Sequence, residues 1–292
     1  MTSNIAAGVY VTGTDVLVSN NTAKNNQYGI YFYNSYGMIQ SNDLIGNQYG
    51  VYISNSNATI NFNRIIGNSN YGIYNVGNGI INATNNWWGS NNGPIISSIS
   101  GSDIYITGGT LTYNPWLVLK LTANPVTTNN NSTITADLTH NSAGEDTSSQ
   151  GNVPDNIPIT FVTNLGNMIS PGYTRNGKAN STFNRGSYTS GIANITATLD
   201  NQTVQTDVIF DEIPLTIIIN PVGGFYNTTQ NVKLATIFSG ISTTFYTLDG
   251  SDPRVNGTIY SNPFLLTLQQ YLDTLQLTLK VIGAKNTFKL IQ

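Results

Sequence analysis

Along the first ninety residues, apolar and polar positions alternate in short runs, and the runs recur. The stretch "SNDLIGNQYGVYISN" (41–55) lies 21 residues after "NNTAKNNQYGIYFYN" and 21 before "FNRIIGNSNYGIYNV". Gly29, Gly50 and Gly72 are each preceded by a tyrosine (Tyr28, Tyr49, Tyr71). Each is followed by an aliphatic-Tyr pair: Ile30-Tyr31, Val51-Tyr52, Ile73-Tyr74; Gly8 opens an earlier copy. A second apolar run places Val18, Ile39, Ile60 and Ile81 at a spacing of 21. The alternation within runs has period two and uses β-branched and aromatic residues, while Gly and Asn interrupt before a third helical turn can form. Short strands repeated at this period predict a solenoid, and the Leu positions of a leucine-rich repeat are missing.

The expected architecture over 1–94 is therefore a right-handed parallel β-helix, its coils about 4.8 Å apart with like residues above like. Asn21, Asn42 and Asn63, and again Asn26, Asn47 and Asn68, fall in register between the runs. Asn tolerates a left-handed corner and can bond to the Asn above and below it, so both sets are expected to form ladders. Asp43 and Arg64 are also 21 apart, which predicts a surface ion pair worth about 0–1 kcal/mol. For the tyrosine columns two readings stand: one set faces inward while the other lines a wall, or the planar rings stack on sugars. A solenoid has to end without exposing its strand edges. Trp87 and Trp88, in "NATNNWWGSNNGP" (82–94), sit where the Ile ladder is expected to stop. They are read as an aromatic lid over the last coil, with a sugar-stacking platform as the alternative. Residues 95–116 are then a connector.

From residue 117 the pattern changes to longer alternating strands separated by polar turns. Several such strands within 117–212 indicate an antiparallel sandwich, and 213–292 reads as a second small one. The fold class expected for the whole is all-β.

Composition adds exclusions. Charged residues are 9% of the 292, with a net charge of -3 and a pI near 4.9, and about one residue in seven is Asn. A nucleic-acid partner needs clustered Lys and Arg, which are absent. There is no cysteine, hence no disulfide, thiolate metal site or cysteine nucleophile. No apolar run reaches about 18 residues, so no membrane insertion is expected, and the start has no signal-peptide pattern. With the repeat already running at Gly8, the chain reads as a piece of a longer exported protein.

A catalytic site finds little support. Asp15 and Asp43, the acids of the first 94 residues, are out of register for a carboxylate pair, and Lys24 and Arg64 lack an acid cluster. His140 has only Glu145 and Asp146 nearby, and reads as a surface residue. Asp249 and Asp252 are too few ligands for firm calcium binding and fit turn capping. Lys120 and Lys178 carry no signature of isopeptide formation. Ten N-x-S/T sequons, among them Asn57, Asn82, Asn194 and Asn227, are close to the roughly nine that composition gives by chance. No catalytic residue, metal or cofactor is expected.

Four resemblances rest on particular stretches. Residues 1–94 resemble the last coils of NosD/pectate-lyase-like β-helices. "NATNNWWGSNNGP" followed by "YNPWLVLKLTANP" resembles the adhesin-like surface proteins of methanogenic archaea. "IPITFVTNLGNM" and "SGIANITATLDNQTVQTDVIF" resemble the invasin/intimin-type bacterial Ig-like domain, and "FYTLDGSDP" (245–253) resembles the chitobiase/β-hexosaminidase C-terminal domain. The resemblances imply a non-enzymatic cell-surface protein that contacts cell-wall or partner-cell glycans or surface proteins. The competing readings are an accessory fragment of a carbohydrate-active β-helix enzyme and a pure structural spacer.

Overall fold

The computed structural model describes residues 6–128, 130–210, 216–221, 228–237, 245–248, 253–266, 279–283 and 286–290. Among the described residues the fold is all-β apart from one four-residue helix, and the chain divides into two compact units, 1–211 and 212–292.

Unit one begins with a solenoid. Its first coil carries β1 (Ala7–Ser19) and β2 (Thr22–Lys24), and the second β3 (Tyr28–Gln40) and β4 (Asp43–Ile45). The third coil carries β5 (Tyr49–Ser54), β6 (Asn57–Asn61) and β7 (Arg64–Ile66), and the fourth β8 (Tyr71–Val76) and β9 (Ile80–Asn82). All pairings between coils are parallel: β1–β3, β3–β5–β8 and β3–β6–β9, with β2–β4–β7 as a separate small sheet. Ile30, Val51 and Ile73 stack in register and are fully buried, as are Ile39 and Ile60.

The expected end at residue 94 does not hold. β10 (Ser102–Ile106) pairs with β8 and β11 (Thr110–Thr112) with β9, so the connector contains a further coil. Ile104 continues the Ile30 column. The strict 21-residue step also fails after the third coil: Tyr49 pairs with Tyr71, a step of 22, and Ala58 with Ile81, a step of 23. Ile81 therefore does not lie in the Ile60 column, one extra residue entering between Asn68 and Tyr71 and a second at the corner of Gly77 (φ 106°), Asn78 and Gly79. The shift puts Asn86 under Asn63, whose Nδ2 donates to Asn86 Oδ1 at 3.0 Å across a separation of 23.

The same shift explains the tryptophan pair. Trp87 bridges Arg64 in the β2–β4–β7 column, which places Trp88 in the next position, below the buried Ala23, Leu44 and Ile65. Successive side chains of a strand point to opposite faces. Trp88 therefore packs into the solenoid core, and Trp87, fully buried, points out of it into the core of the following module. The pair is a two-faced joint, not a lid on a terminal coil.

That following module is an Ig-like sandwich. It contains β12 (Leu117–Asn124), β13 (Asn131–Asn141), β14 (Pro158–Thr163) and β15 (Asn167–Met168). β16 (Gly172–Tyr173), β17 (Lys178–Asn184), β18 (Gly191–Leu199) and β19 (Gln202–Phe210) complete it. Its sheets have the orders β12-β13-β17-β15 and β16-β14-β18-β19, all antiparallel, around Leu119, Ile134, Phe161, Phe183, Ile195 and Phe210.

The sandwich lies along one corner of the solenoid. Asn20, Ser41, Phe62 and Asn85 occupy that corner with φ between 55° and 59°. Ser41 Oγ donates to Asn152 O at 2.7 Å, and Asn141 Nδ2 donates to Asn85 Oδ1 at 3.2 Å. Phe62 belongs to the sandwich core and is 4% exposed. A bulky residue in the left-handed region costs about 1–3 kcal/mol; burial of the ring offsets this at about 1.5–3 kcal/mol.

Asp43 and Arg64 do not form the surface pair expected of them. Arg64 Nη1 meets Asp43 Oδ1 at 3.0 Å, while Arg64 Nε donates to Asp200 Oδ2 at 3.0 Å and Arg64 Nη2 also pairs with Asp200. Their side chains are only 7–12% exposed because the β18–β19 turn covers them. Trp87 Nε1 donates to the same carboxylate at 2.7 Å. Burial works against the Arg64 charge, but the bonds and fields of Asp200 and Asp43 outweigh it and hold the guanidinium above its ordinary pKa.

In unit two, β20 (Thr216–Asn220) pairs with β21 (Gln230–Ile237). After β22 (Phe245–Tyr246) comes α1 (Pro253–Asn256), then β23 (Thr258–Ile259), which pairs with β22. β24 (Phe264–Leu266) joins β21 on its other side, and β25 (Leu279–Gly283) pairs with β26 (Asn286–Leu290). All these pairings are antiparallel, and the Tyr246 and Phe264 rings stack at 4.3 Å. Asp249 and Asp252 lie outside the described residues.

Three substitutions test this description. Trp87→Phe, which takes a hydrogen bond from a carboxylate, should cost about 1.5–3 kcal/mol in urea denaturation. Trp88→Phe should cost less than about 1.5 kcal/mol, since the buried Trp88 Nε1 has no partner among the described residues. Asn47→Ala should cost more than about 3 kcal/mol, because several buried groups lose partners at about 1–3 kcal/mol each.

Candidate contact face

One interior feature holds the solenoid in shape. Asn47 Oδ1 accepts from Asn26 N (3.0 Å) and Asn26 Nδ2 (3.1 Å), and Asn47 Nδ2 donates to Ala23 O (2.9 Å) and Asn68 Oδ1 (3.2 Å). Asn42 does the same between Asn21 and Asn63. Asn42, Asn47 and Asn63 are completely buried, Asn26 and Asn68 nearly so, and Asn21 is partly exposed.

The outside is where the structure gathers its aromatics. Strand alternation turns Ile30 and Phe32 inward and Tyr31 outward, and likewise Tyr52 and Tyr74 in the later coils. Tyr28, two residues before an inward Ile30, would point inward in a regular strand. Gly29 changes this: a Cβ there would stand 2.5 Å from Gly50 O of the next coil, so the backbone approaches too closely for any side chain. The chain turns at that glycine, and Tyr28 and Tyr31 come out on the same surface with ring centroids 5.0 Å apart. Neither tyrosine column faces the interior, contrary to the first of the two expectations.

The result is a continuous patch of nine rings: Tyr10, Tyr28, Tyr31, Tyr33, Tyr49, Tyr52, Tyr71, Tyr74 and Tyr105. Tyr28–Tyr49 and Tyr74–Tyr105 stack at 5.5 and 5.6 Å, whereas Tyr10–Tyr31, Tyr31–Tyr52 and Tyr52–Tyr74 meet edge to face at 5.2, 5.0 and 5.3 Å. Such pairs contribute about 0.5–1.5 kcal/mol each beyond their buried area, so the patch stiffens the stack of coils. Most ring faces are used up in this packing. Tyr10 is 59% exposed and offers an open ring; Tyr71 is 9% exposed and donates its hydroxyl to Ser98 O at 2.7 Å. The others are partly buried, with no ionisable group but phenol in the network. Chemically the face can donate and accept hydrogen bonds through phenols and can take a sugar or apolar ring at Tyr10.

Tyr10, Tyr33 and Tyr105 were not among the expected members. Tyr105 had a signal, since Ile104-Tyr105 repeats the aliphatic-Tyr pair, but Ser102-Asp103 replaces the Tyr-Gly before it and the step from Tyr74 is 31.

The other candidate groups stay apart from this face. Asp15 is exposed and Asp43 is engaged by Lys24 (3.5 Å) and Arg64. His140 Nδ1 lies 3.9 Å from Asp137 Oδ2, which Lys178 Nζ approaches to 3.0 Å. Burial would raise the Asp137 pKa, but the hydroxyl and N–H of Thr139 together with Lys178 hold it below the ordinary carboxylate value. Among the described residues no group of three or more His, Cys, Asp or Glu converges to hold a metal, and no helix is long and apolar enough to cross a membrane.

Residues 1–111 match the family described as the right-handed β-helix region, and residues 221–286 match the chitobiase/β-hexosaminidase C-terminal domain. No curated protein matches the chain. Among solved structures, the C-terminal 282-residue fragment of intimin, in complex with the intimin-binding domain of the translocated intimin receptor, aligns at 19% identity with a TM-score of 0.26. That alignment covers 60% of this chain and 63% of that one. The protein is thus an all-β chain with a right-handed β-helix region, antiparallel modules after it and a chitobiase-type C-terminal domain.

Burial first, and then the neighbouring phenols, raises the pKa of Tyr31, Tyr52 and Tyr71 above the ordinary value of 10.0. A raised native pKa keeps the neutral form in the fold while the unfolded chain ionises. The stability they contribute is complete below pH about 10 and is lost as pH rises through the native values. Absorbance titration should find a late-ionising subset of tyrosines, with unfolding free energy falling over the same pH range; ionisation of every tyrosine near pH 10 would contradict this.

Proposed function

We propose that the protein is a non-enzymatic, adhesin-like cell-surface protein whose solenoid makes contact with carbohydrate or with the envelope of another cell. The observation that carries the reading is the nine-tyrosine face, uncharged apart from its phenols and laid on a rigid stack of coils. Hydroxyl-bearing ring edges suit the many hydroxyls of a neutral glycan, and Tyr10 supplies the open ring on which one sugar can stack. The resemblance of the Trp-Trp-Gly segment to adhesin-like proteins of methanogenic archaea supports the same class. So does the engagement of Asp43 by Lys24 and Arg64, which takes that carboxylate out of reach of glycosidic chemistry.

A second reading, a structural spacer, is favoured by the ring-to-ring packing, which by itself accounts for the conservation of shape from coil to coil. A glycan array probed with the whole chain separates the two. Binding to neutral cell-wall polysaccharides that falls about tenfold in Tyr10→Ala supports contact, that factor being roughly the worth of one aromatic platform. A flat response over cell-wall and host glycans leaves the spacer.

A further inference from the structure

Each coil of the solenoid covers the strand edges of the coil before it, and at the last coil this cover is partial. In a parallel pair, alternate residues turn their peptide groups to opposite neighbours. Thr107 N donates to Asn75 O at 2.9 Å, so Tyr105 and Thr107 face β8 while Ile104 and Ile106 face away from it. The segment 95–97 covers Ile104: Ile104 N donates to Ile95 O (3.1 Å) and Ser97 N donates to Ile104 O (3.3 Å). It then leaves the strand, and Ser98 O accepts from the Tyr71 hydroxyl at 2.7 Å. The Ile106 N–H and C=O have no backbone partner among the described residues. On β11, Thr110 N donates to Gly79 O (2.9 Å) and Thr112 O accepts from Ala83 N (2.6 Å), which turns the Leu111 peptide groups away from β9 in the same manner.

These edges border a cleft of about 400 Å³ whose lining includes Ile96, Ser97, Ser98, Tyr105, Ile106 and Leu111. The size and the mostly apolar lining with a few polar groups are those of small-molecule sites. Ile106 and Leu111 pack on the solenoid core yet stay only half-buried. No charged side chain is among the lining residues.

The tyrosine column stops where this cleft begins. Tyr105 stacks on Tyr74 at 5.6 Å with an interplanar angle of 11°, and its other ring neighbour, Tyr71, also belongs to the fourth coil. Ile96 bridges Ile104, so Ser97 stands in the column position after Tyr105, with a small hydroxyl side chain where the earlier coils carry a ring. Ser97 Oγ accepts from Ile99 N at 3.1 Å, which leaves its proton to donate.

We infer that this cleft is a saccharide subsite for a neutral 2-acetamido sugar, whose pyranose ring takes the place of the missing tyrosine. The ring lies on Tyr105, Ser97 donates to one of its hydroxyls, and the acetamido group bonds to the Ile106 peptide with its methyl on Ile106 and Leu111. Three features select this class. A peptide group at the edge of an apolar cleft is costly to leave unpaired, and a secondary amide, with one donor and one acceptor, matches both of its atoms. Adjacent residues of a strand are about 3.3 Å apart, so a substituent on a ring over Tyr105 reaches Ile106. The uncharged lining suits a neutral sugar. The inference rests on the carbohydrate reading above and narrows it to one sugar type and one site.

The test is amide-resolved NMR of the whole chain titrated with methyl 2-acetamido-2-deoxy-β-D-glucopyranoside. Saturable shifts centred on Ser97, Ser98, Tyr105, Ile106 and Leu111 support the subsite. Methyl β-D-glucopyranoside, which lacks the amide, should bind about two- to tenfold more weakly, the worth of one hydrogen bond. Tyr105→Ala should weaken the acetamido sugar about tenfold, while Tyr105→Phe, which keeps the ring, should bind as the parent does. Absence of shifts at tens of millimolar sugar, equal affinity for the two glycosides, or a stronger response to N-acetylalanine methylamide overturns the proposal, the last by assigning the cleft to a peptide. Failure of the wider reading is separable: glycan binding that falls in Tyr10→Ala, without shifts at the cleft, keeps the tyrosine face as the contact surface and removes the subsite.

Discussion

A coil that closes every twenty-odd residues must turn its backbone through corners, and each corner leaves N–H and C=O groups pointing into a water-free interior. Here those groups are met by Asn side chains. An amide is the side chain that can both accept from the coil below and donate to the coil above, so one residue per corner closes the hydrogen bonding of two coils. Asn42, Asn47 and Asn63 each do this while completely buried. Everything outside depends on it: the spacing of the coils fixes the spacing of the tyrosine rings, and the corner column fixes where the sandwich packs.

The junction between solenoid and sandwich follows from the same repetition, bent at one point. Lys24, Asp43 and Arg64 form a row of alternating charge along the coils, and Asp200 of the sandwich takes the next place in that row. Charges this buried are tolerated because each has a partner of opposite sign and directed hydrogen bonds. Trp87 and Phe62, both carried by the solenoid but packed in the sandwich core, join the two hydrophobic interiors across the boundary. The described residues of 1–211 therefore form one compact unit, and the tyrosine face and the sandwich are held on the same frame.

On the proposed reading, function on such a frame comes from display. The tyrosine face has lost most of its ring surface to packing, and what it retains is hydroxyl edges and one open ring. Its chemistry suits polyols, and it brings no set of acids and bases to a single point.

Much of this was legible in residue spacing. The 21-residue step, the period-two alternation and the Asn columns determine a parallel solenoid, because stacked strands require like residues at like positions. The exchange of Asn and Gly for longer alternating runs after residue 117 determines the change to antiparallel sheets. Spacing fails where geometry is settled by contact between distant parts. Two extra residues, one before Tyr71 and one near Gly77, moved Ile81 out of its column and brought Asn86 into one; at Gly29 the next coil's carbonyl left no room for a side chain, and the Tyr28 column joined the Tyr31 column outside. Asp200, 136 residues from Arg64 in the chain, turned an apparent surface pair into a buried joint. A sequence states which side chains recur; which of them are covered is decided only when another part of the chain folds over them.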